Sequence, residues 1–256
     1  MKQTFSLWED SLENDTKIHF YKPEIKKRDF AIILFAGGAY GCRSAYEDVD
    51  YAQFLNENGY TAFVLDYRIA PNYFPLPLLD ARRAVRFVRA YAERFGIDKE
   101  KILVMGSSAG GHLAALVSTY LGKINGEGID AIDKENFIPN GQILCYPVIS
   151  SNEQISHIKS YQNLLGARYE ERAKYNPELL VNTSTPQAFI WHTASDEGVS
   201  VMNSYRYAAA LRNYLIPCEM HIFPNGPHGL GLAEAVPYVS RWKNWLLEWL
   251  EVYFGD

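Results

Sequence analysis

A serine flanked by glycines near the middle of the chain has residue types that can support chemistry. Positions 106–110 read Gly-Ser-Ser-Ala-Gly and follow the apolar run at 101–105. A strand, a glycine-rich turn and a helix can hold either a phosphate group or a nucleophilic serine. A dinucleotide-binding fingerprint needs glycine where Ser108 stands, and a P-loop needs a lysine that this turn lacks. The remaining pattern, G-x-S-x-G, predicts Ser108 as a nucleophile on a tight elbow.

A base and an acid for this serine are found further along the chain. A serine hydroxyl needs a histidine to accept its proton and a carboxylate to orient that histidine. Asp196 follows the apolar run at 188–193, and His228 lies in a Pro/Gly-rich turn after the run at 219–223. The order Ser, Asp, His, with each residue after a predicted strand, therefore predicts a proton relay built from Ser108, Asp196 and His228.

Each of these assignments has a structural alternative. Asp196 could cap a helix that begins near Val199. Glu197 could be the acid in its place, and His228 could be an ordinary turn residue. The other five histidines lack such a context and are expected to be structural; they are His19, His112, His157, His192 and His221.

Acyl-transfer chemistry also needs hydrogen-bond donors for a developing oxyanion. These donors are usually the backbone N–H after the nucleophile and one from the loop after an earlier strand. The segment LFAGGAYG at 34–41 supplies such a loop. We therefore expect the N–H groups of Gly38, Ala39 and Ala109 to form an oxyanion hole; a simple glycine turn is the alternative.

The elements that must position these residues alternate along the chain. Short β-rich runs alternate with amphipathic segments, a pattern that predicts an α/β fold with a mainly parallel sheet covered by helices on both faces. The predicted parallel strands lie at 31–35, 61–67, 101–105, 142–148, 188–193 and 219–223. Two segments before residue 30, TFSLW and KIHFY, predict a short antiparallel pair at the sheet edge.

Three further segments have a predicted place in the fold. An apolar face from Leu78 to Phe95 predicts a long helix, whose arginines at 82, 83, 86 and 89 are expected to be solvated on its outer side rather than to bind an anion. The stripe of tryptophan and leucine in 237–253 is expected to be core rather than a ligand platform. The weakly periodic stretch 150–186 is either a pocket-roofing insertion or a surface helix and loop.

Composition limits the class of protein. The chain has 256 residues, of which 48% are hydrophobic and 21% are charged, and we expect a single domain over 1–256. The net charge of −5 includes no basic block, which argues against nucleic acid as a partner. No apolar run reaches the roughly 18 residues of a membrane span. The N-terminal segment lacks a signal-peptide core, so the sequence predicts a cytoplasmic protein that does not bind membranes, unless a signal peptide was removed.

The three cysteines, Cys42, Cys145 and Cys218, are widely spaced and odd in number. This spacing predicts reduced thiols and no zinc site. Cys42 is expected to be a small packed residue, with a reactive thiol as the alternative. We expect neither a metal nor a cofactor.

Six motifs, in this order along residues 30–232, resemble the α/β-hydrolase esterases of the hormone-sensitive-lipase-like and acetyl xylan esterase-like group. The motifs are FAGGAYG, DYRIAP, FPLPLLDARRAVRFVR, GSSAGGHLAAL, HTASDEGV and GPHGLGLA. The resemblance implies the α/β-hydrolase fold, the triad of Ser108, Asp196 and His228, and the same three oxyanion donors. Ala36 and Ala39 depart from the family's His/Pro-Gly-Gly-Gly loop.

The resemblance also implies a substrate class. The chain leaves little room for the N-terminal helical cap of the lipase-like relatives, so we expect an open pocket with an aromatic rim that includes Tyr40. Such a rim suits a short acyl ester on a sugar, as in the carbohydrate acetyl esterases. The alternatives are a general carboxylesterase of small apolar esters, a peptidase on the same triad, and a non-catalytic ligand-binding protein on this scaffold. The sequence leaves open whether the protein is a monomer or a homodimer.

Overall fold

The computed structural model describes residues 2–8, 16–128 and 130–255, and within them the centre of the molecule is an eight-stranded sheet. The strand order is β1-β2-β4-β3-β5-β6-β7-β8. The strands are β1 Lys2–Ser6, β2 Lys17–Tyr21, β3 Ala31–Phe35, β4 Thr61–Leu65, β5 Ile102–Ser107, β6 Gly141–Cys145, β7 Ala188–Thr193 and β8 Cys218–Phe223.

Strands β3 to β8 are parallel, whereas β1 and β2 form an antiparallel pair that joins the sheet through β4. This arrangement confirms the predicted α/β fold and its antiparallel N-terminal edge. Because parallel strands end at the same edge, the loops after β3, β5, β7 and β8 meet there. These are the loops that carry the predicted site residues.

Helices cover both faces of the sheet. The helices are α1 Val49–Glu57, α2 Leu76–Ala90, α3 Ala92–Phe95, α4 Ala109–Thr119, α5 Ile158–Leu165, α6 Pro177–Leu180, α7 Met202–Asn213 and α8 Trp242–Phe254. Successive residues of one strand point to opposite faces. Ile33 belongs to the core under α2 and α4, while Ile32 and Leu34 belong to the core under α1 and α8. This double burial explains why the parallel strands are almost continuously apolar.

The arginines of α2 are buried, and the prediction of a solvated outer face is wrong. Arg82 and Arg83 are each 1% exposed. The segment after α4 folds over them and supplies carboxylates: Arg82 pairs with Glu127, and Arg83 pairs with Asp133. Helical periodicity indicates which side of α2 packs on the sheet, but it does not reveal that a distant loop covers the other side.

The stretch 150–186 packs partly into the core. Tyr161 and Leu164 of α5 are 1% and 0% exposed, and the Tyr161 hydroxyl donates to the carbonyl of Ile149. Asn163 of the same helix donates to the carbonyl of Ala39 at 2.8 Å, so the segment borders the loop after β3. Its inner face is therefore structural, and a roofing role stays a prediction.

The tryptophan stripe of α8 is core, as predicted. Trp242 and Leu246 are fully buried, and the Trp242 ring stacks on Trp191 of β7 with centroids 5.0 Å apart.

None of the helices in the described ranges is both long and apolar enough to cross a membrane.

Candidate active site

Ser108 lies on a strained turn between β5 and α4. Its φ of 52° and ψ of −117° fall in a region that non-glycine residues rarely adopt. A Cβ on Gly106 would collide with the carbonyl of Gly110, and a Cβ on Gly110 would collide with the carbonyl of Phe35. Both glycines of the G-x-S-x-G pattern are therefore required by close backbone contacts, as the elbow interpretation predicts.

The structure brings Ser108, His228 and Asp196 together in one chain of hydrogen bonds. The Ser108 Oγ lies 2.8 Å from Nε2 of His228. The other ring nitrogen, Nδ1, lies 2.7 Å from Oδ2 of Asp196. Since a carboxylate only accepts, Nδ1 carries the proton and Nε2 is free to accept the serine proton. The arrangement can deprotonate a serine for attack on an acyl carbon.

Asp196 is held by several donors. Its Oδ1 accepts the N–H groups of Gly198 and Val199, each at 2.8 Å. Burial alone would raise the pKa of this carboxyl, but hydrogen bonds from His192, His228 and the Val199 N–H outweigh it and hold the pKa well below its usual range. Asp196 therefore stays ionised opposite His228, while the alternative acid, Glu197, is exposed.

His192 is a partner of Asp196 that sequence reasoning missed. It is fully buried, and its Nε2 lies 3.2 Å from Oδ2 of Asp196 and 3.0 Å from the carbonyl of Val199. Because both of these atoms accept, Nε2 carries the proton, and Nδ1 accepts from the Ser204 hydroxyl. The sequence signal for this contact was the short separation of four residues between His192 and Asp196.

The predicted oxyanion donors lie on two neighbouring loops. Gly38 and Ala39 have φ values of 120° and 53° in the loop after β3. Ala109 is the first residue of α4, where the N–H has no partner inside the helix. In the described part of the chain, no protein acceptor is found for the N–H groups of Gly38 or Ala39. These three amides remain the candidate donors, and Ala39 adopts the left-handed conformation although it replaces a glycine.

Tyr40 does not form part of an exposed rim, and this prediction is wrong. Its side chain is 1% exposed, and its hydroxyl donates to Nδ1 of His112 at 2.8 Å. Nε2 of His112 in turn donates to the carbonyl of Tyr175 at 2.9 Å. The Tyr40 side chain points into the protein, and its backbone has a left-handed φ of 56°. Tyr40 ties the loop after β3 to the 150–186 segment and leaves no ring face for a ligand.

A second buried network, also missed from the sequence, lies beside the triad. Glu47 is 2% exposed and accepts the N–H of Gly37 at 2.9 Å and the Tyr146 hydroxyl at 2.6 Å. The Tyr146 ring meets the His228 ring edge to face, with centroids 5.2 Å apart. Glu47 and Tyr146 are nearly 100 positions apart in sequence, and only the tertiary fold brings them together.

His157 and Cys42 are two further residues near the candidate site. His157 is half-buried, and burial together with the nearby His228 lowers its pKa. Cys42 is exposed rather than packed, contrary to expectation. In ranges 2–8, 16–128 and 130–255, no group of three or more His, Cys, Asp or Glu side chains is arranged to hold a metal ion.

Comparison with known proteins gives the family. Residues 18–211 match the model of the BD-FAE family. The structure resembles that of an acetyl ester-xyloside bifunctional hydrolase from Caldicellulosiruptor lactoaceticus, with a TM-score of 0.90 and 37% sequence identity. That match covers 98% of this chain and 96% of the other.

Two curated relatives are longer than this chain. The chain is 37% identical over 223 residues to endo-1,4-beta-xylanase B of Butyrivibrio fibrisolvens, covering 85% of this chain and 34% of the relative. It is 32% identical over 228 residues to an acetylxylan esterase of Xylanibacter ruminicola, covering 86% of this chain and 45% of the relative. The matched family model, the strand order and the full-length structural match agree. The chain belongs to the BD-FAE family of α/β-hydrolases.

Proposed function

We propose that this chain is a serine esterase that removes acetyl groups from carbohydrate. The observation that carries the proposal is the continuous hydrogen-bonded chain from Ser108 through His228 to Asp196. Support for the substrate comes from the relatives, one named an acetylxylan esterase and one an acetyl ester-xyloside hydrolase.

The proposed reaction has two steps. In the first, Ser108 Oγ attacks the acetyl carbonyl carbon and gives its proton to Nε2 of His228. The N–H groups of Gly38, Ala39 and Ala109 stabilise the oxyanion. The intermediate then collapses, and His228 returns the proton to the leaving sugar oxygen.

In the second step, His228 takes a proton from water, and the resulting hydroxide attacks acetyl-Ser108. Collapse releases acetate and the proton returns to Ser108. Asp196 stays ionised throughout and stabilises the imidazolium that forms in both steps. None of these steps requires a cofactor.

Replacement of Ser108 by alanine tests the reaction. The variant lacks the nucleophile, so acetate release from acetylated xylo-oligosaccharides and from p-nitrophenyl acetate should fall by about 10⁶-fold in kcat. Ser118→Ala is a matched control, because Ser118 is a buried serine of α4, the helix that follows Ser108, and its hydroxyl donates to the Ala114 carbonyl. Unchanged hydrolysis in folded Ser108→Ala would refute the esterase.

Acyl-chain preference tests the substrate class with the same enzyme. A series of p-nitrophenyl esters from acetyl to octanoyl should show the highest kcat/KM at acetyl. Turnover that rises toward octanoyl would instead support a general carboxylesterase. A panel of acetylated monosaccharides and xylo-oligosaccharides, followed by acetate release, would identify the preferred sugar.

A further inference from the structure

Glu47 is a buried carboxylate that the proposed reaction does not use. It is 2% exposed, and within the described residues no lysine or arginine forms an ion pair with it. Burial raises its pKa above the ordinary value, although hydrogen bonds from Tyr146 and Gly37 partly oppose this shift. A carboxylate buried without a cationic partner costs several kcal/mol of desolvation. Such groups are frequently kept where they serve a functional site.

The hydrogen bonds of Glu47 link two loops of the site. Oε2 accepts the N–H of Gly37, which directly precedes Gly38. Oε1 accepts the single hydroxyl proton of Tyr146. The phenol oxygen is then free to accept, and it takes the N–H of Gly231 at 3.0 Å. One continuous chain thus joins the loop after β3 to the loop that carries His228.

Tight packing fixes this chain in place. A Cβ on Gly37 would collide with Oε2 of Glu47, so the loop backbone lies directly against the carboxylate. Tyr146 has a left-handed φ of 37° immediately after β6, a conformation that must be held by its surroundings. Its ring packs edge to face on both Trp191 and His228.

We propose that Glu47, acting through Tyr146, is a positioning residue that holds the oxyanion loop and the His228 loop at a fixed separation. The inference rests on the proposed esterase function. Since a displacement of about 1 Å can cost about 10²-fold in rate, loss of this link should lower kcat with little change in KM.

Two conservative variants test the link. Glu47→Gln leaves one acceptor oxygen where the carboxylate offers two, so the Gly37 N–H and the Tyr146 hydroxyl lose their separate acceptors. We expect kcat for p-nitrophenyl acetate to fall by about 10²-fold with little change in KM. Tyr146→Phe removes the hydroxyl that joins Glu47 to the Gly231 N–H, so kcat should fall similarly and KM should again change little. Active sites are counted by stoichiometric phosphonylation of Ser108.

Asp133→Asn is the matched control, because Asp133 is a buried carboxylate paired with Arg83 away from the triad. It should lower stability but leave kcat unchanged. If Glu47→Gln and Tyr146→Phe also lose only stability, Glu47 is merely structural and the proposal fails.

Hydrogen exchange provides a readout that does not depend on activity. Peptides that cover 36–41 and 226–233 should both exchange faster in Glu47→Gln, since the link joins them. Faster exchange at one loop alone, or at neither, would overturn the proposal. A wild-type protein without Ser108-dependent hydrolysis would refute the esterase function, and the exchange result would still decide whether Glu47 links the loops.

Discussion

His112 couples protonation to stability at the scale of a single residue. It is 1% exposed, and burial lowers its pKa to about 4 although the Tyr175 carbonyl partly opposes the shift. In the unfolded chain the pKa of a histidine is about 6.5, so the unfolded chain binds more protons than the folded chain between these two pKa values. The contribution of His112 to the free energy of unfolding is therefore fully present above about pH 6.5. It falls by about 3 kcal/mol as the pH falls toward 4.

Urea unfolding of wild type and His112→Gln from pH 7.5 to pH 4.5 would measure this coupling. Glutamine can still accept from Tyr40 and donate to Tyr175, but it does not titrate. The difference in unfolding free energy between the two proteins should shrink as pH falls. Parallel curves across this range would contradict the prediction.

The site residues divide according to how they could be predicted. Ser108, Asp196 and His228 were accessible from sequence because local spacing after strands fixes where they emerge. Tyr40 was misplaced because a loop pattern does not specify whether a side chain turns inward. Glu47 and Tyr146 were missed because their hydrogen bonds depend on tertiary contacts alone.

At the scale of elements, the buried arginines of α2 hold the 120–140 segment. The side chains of Arg83 and Asp133 are each 1% exposed, and Nη1 lies 2.9 Å from Oδ1. Arg83→Met would remove the nearer guanidinium from Asp133 and leave Arg86, whose Nη1 lies 3.7 Å from Oδ1. It should lower the free energy of unfolding by about 3 kcal/mol, measured in urea, with kcat unchanged. Adding Asp133→Asn should recover part of this loss, and simple additivity of the two changes would refute a coupled pair.

The parallel strands were predicted well from the sequence because burial determines their composition. Each parallel strand except the edge strand β8 is buried on both faces, so its apolar run is long and unambiguous. The predicted long helix over 78–95 is instead two helices that meet at Tyr91, because its apolar period continues across the break. Periodicity does not detect such a break.

At the scale of the whole molecule, the two cores share one sheet. Because neighbouring residues of the central strands β3 to β7 enter opposite cores, neither core can open without disturbing the other. We predict a single domain that unfolds cooperatively, with coincident urea midpoints for tryptophan fluorescence, far-ultraviolet circular dichroism and ester hydrolysis. Four of the five tryptophans lie on the α8 side, so an earlier fluorescence transition would show that this core melts alone.

The backbone pairing of β3 with β5, rather than a contact between loops, positions the Ser108 turn next to the end of β3. Phe35 stands opposite Gly106 in this ladder, and the elbow rests on the Phe35 carbonyl. The hydrogen bonds between these strands thus fix the distance between the Ser108 turn and the loop after β3. Under the proposed esterase function, substitutions in the outer loops of the site should therefore change the preferred alcohol without altering this distance.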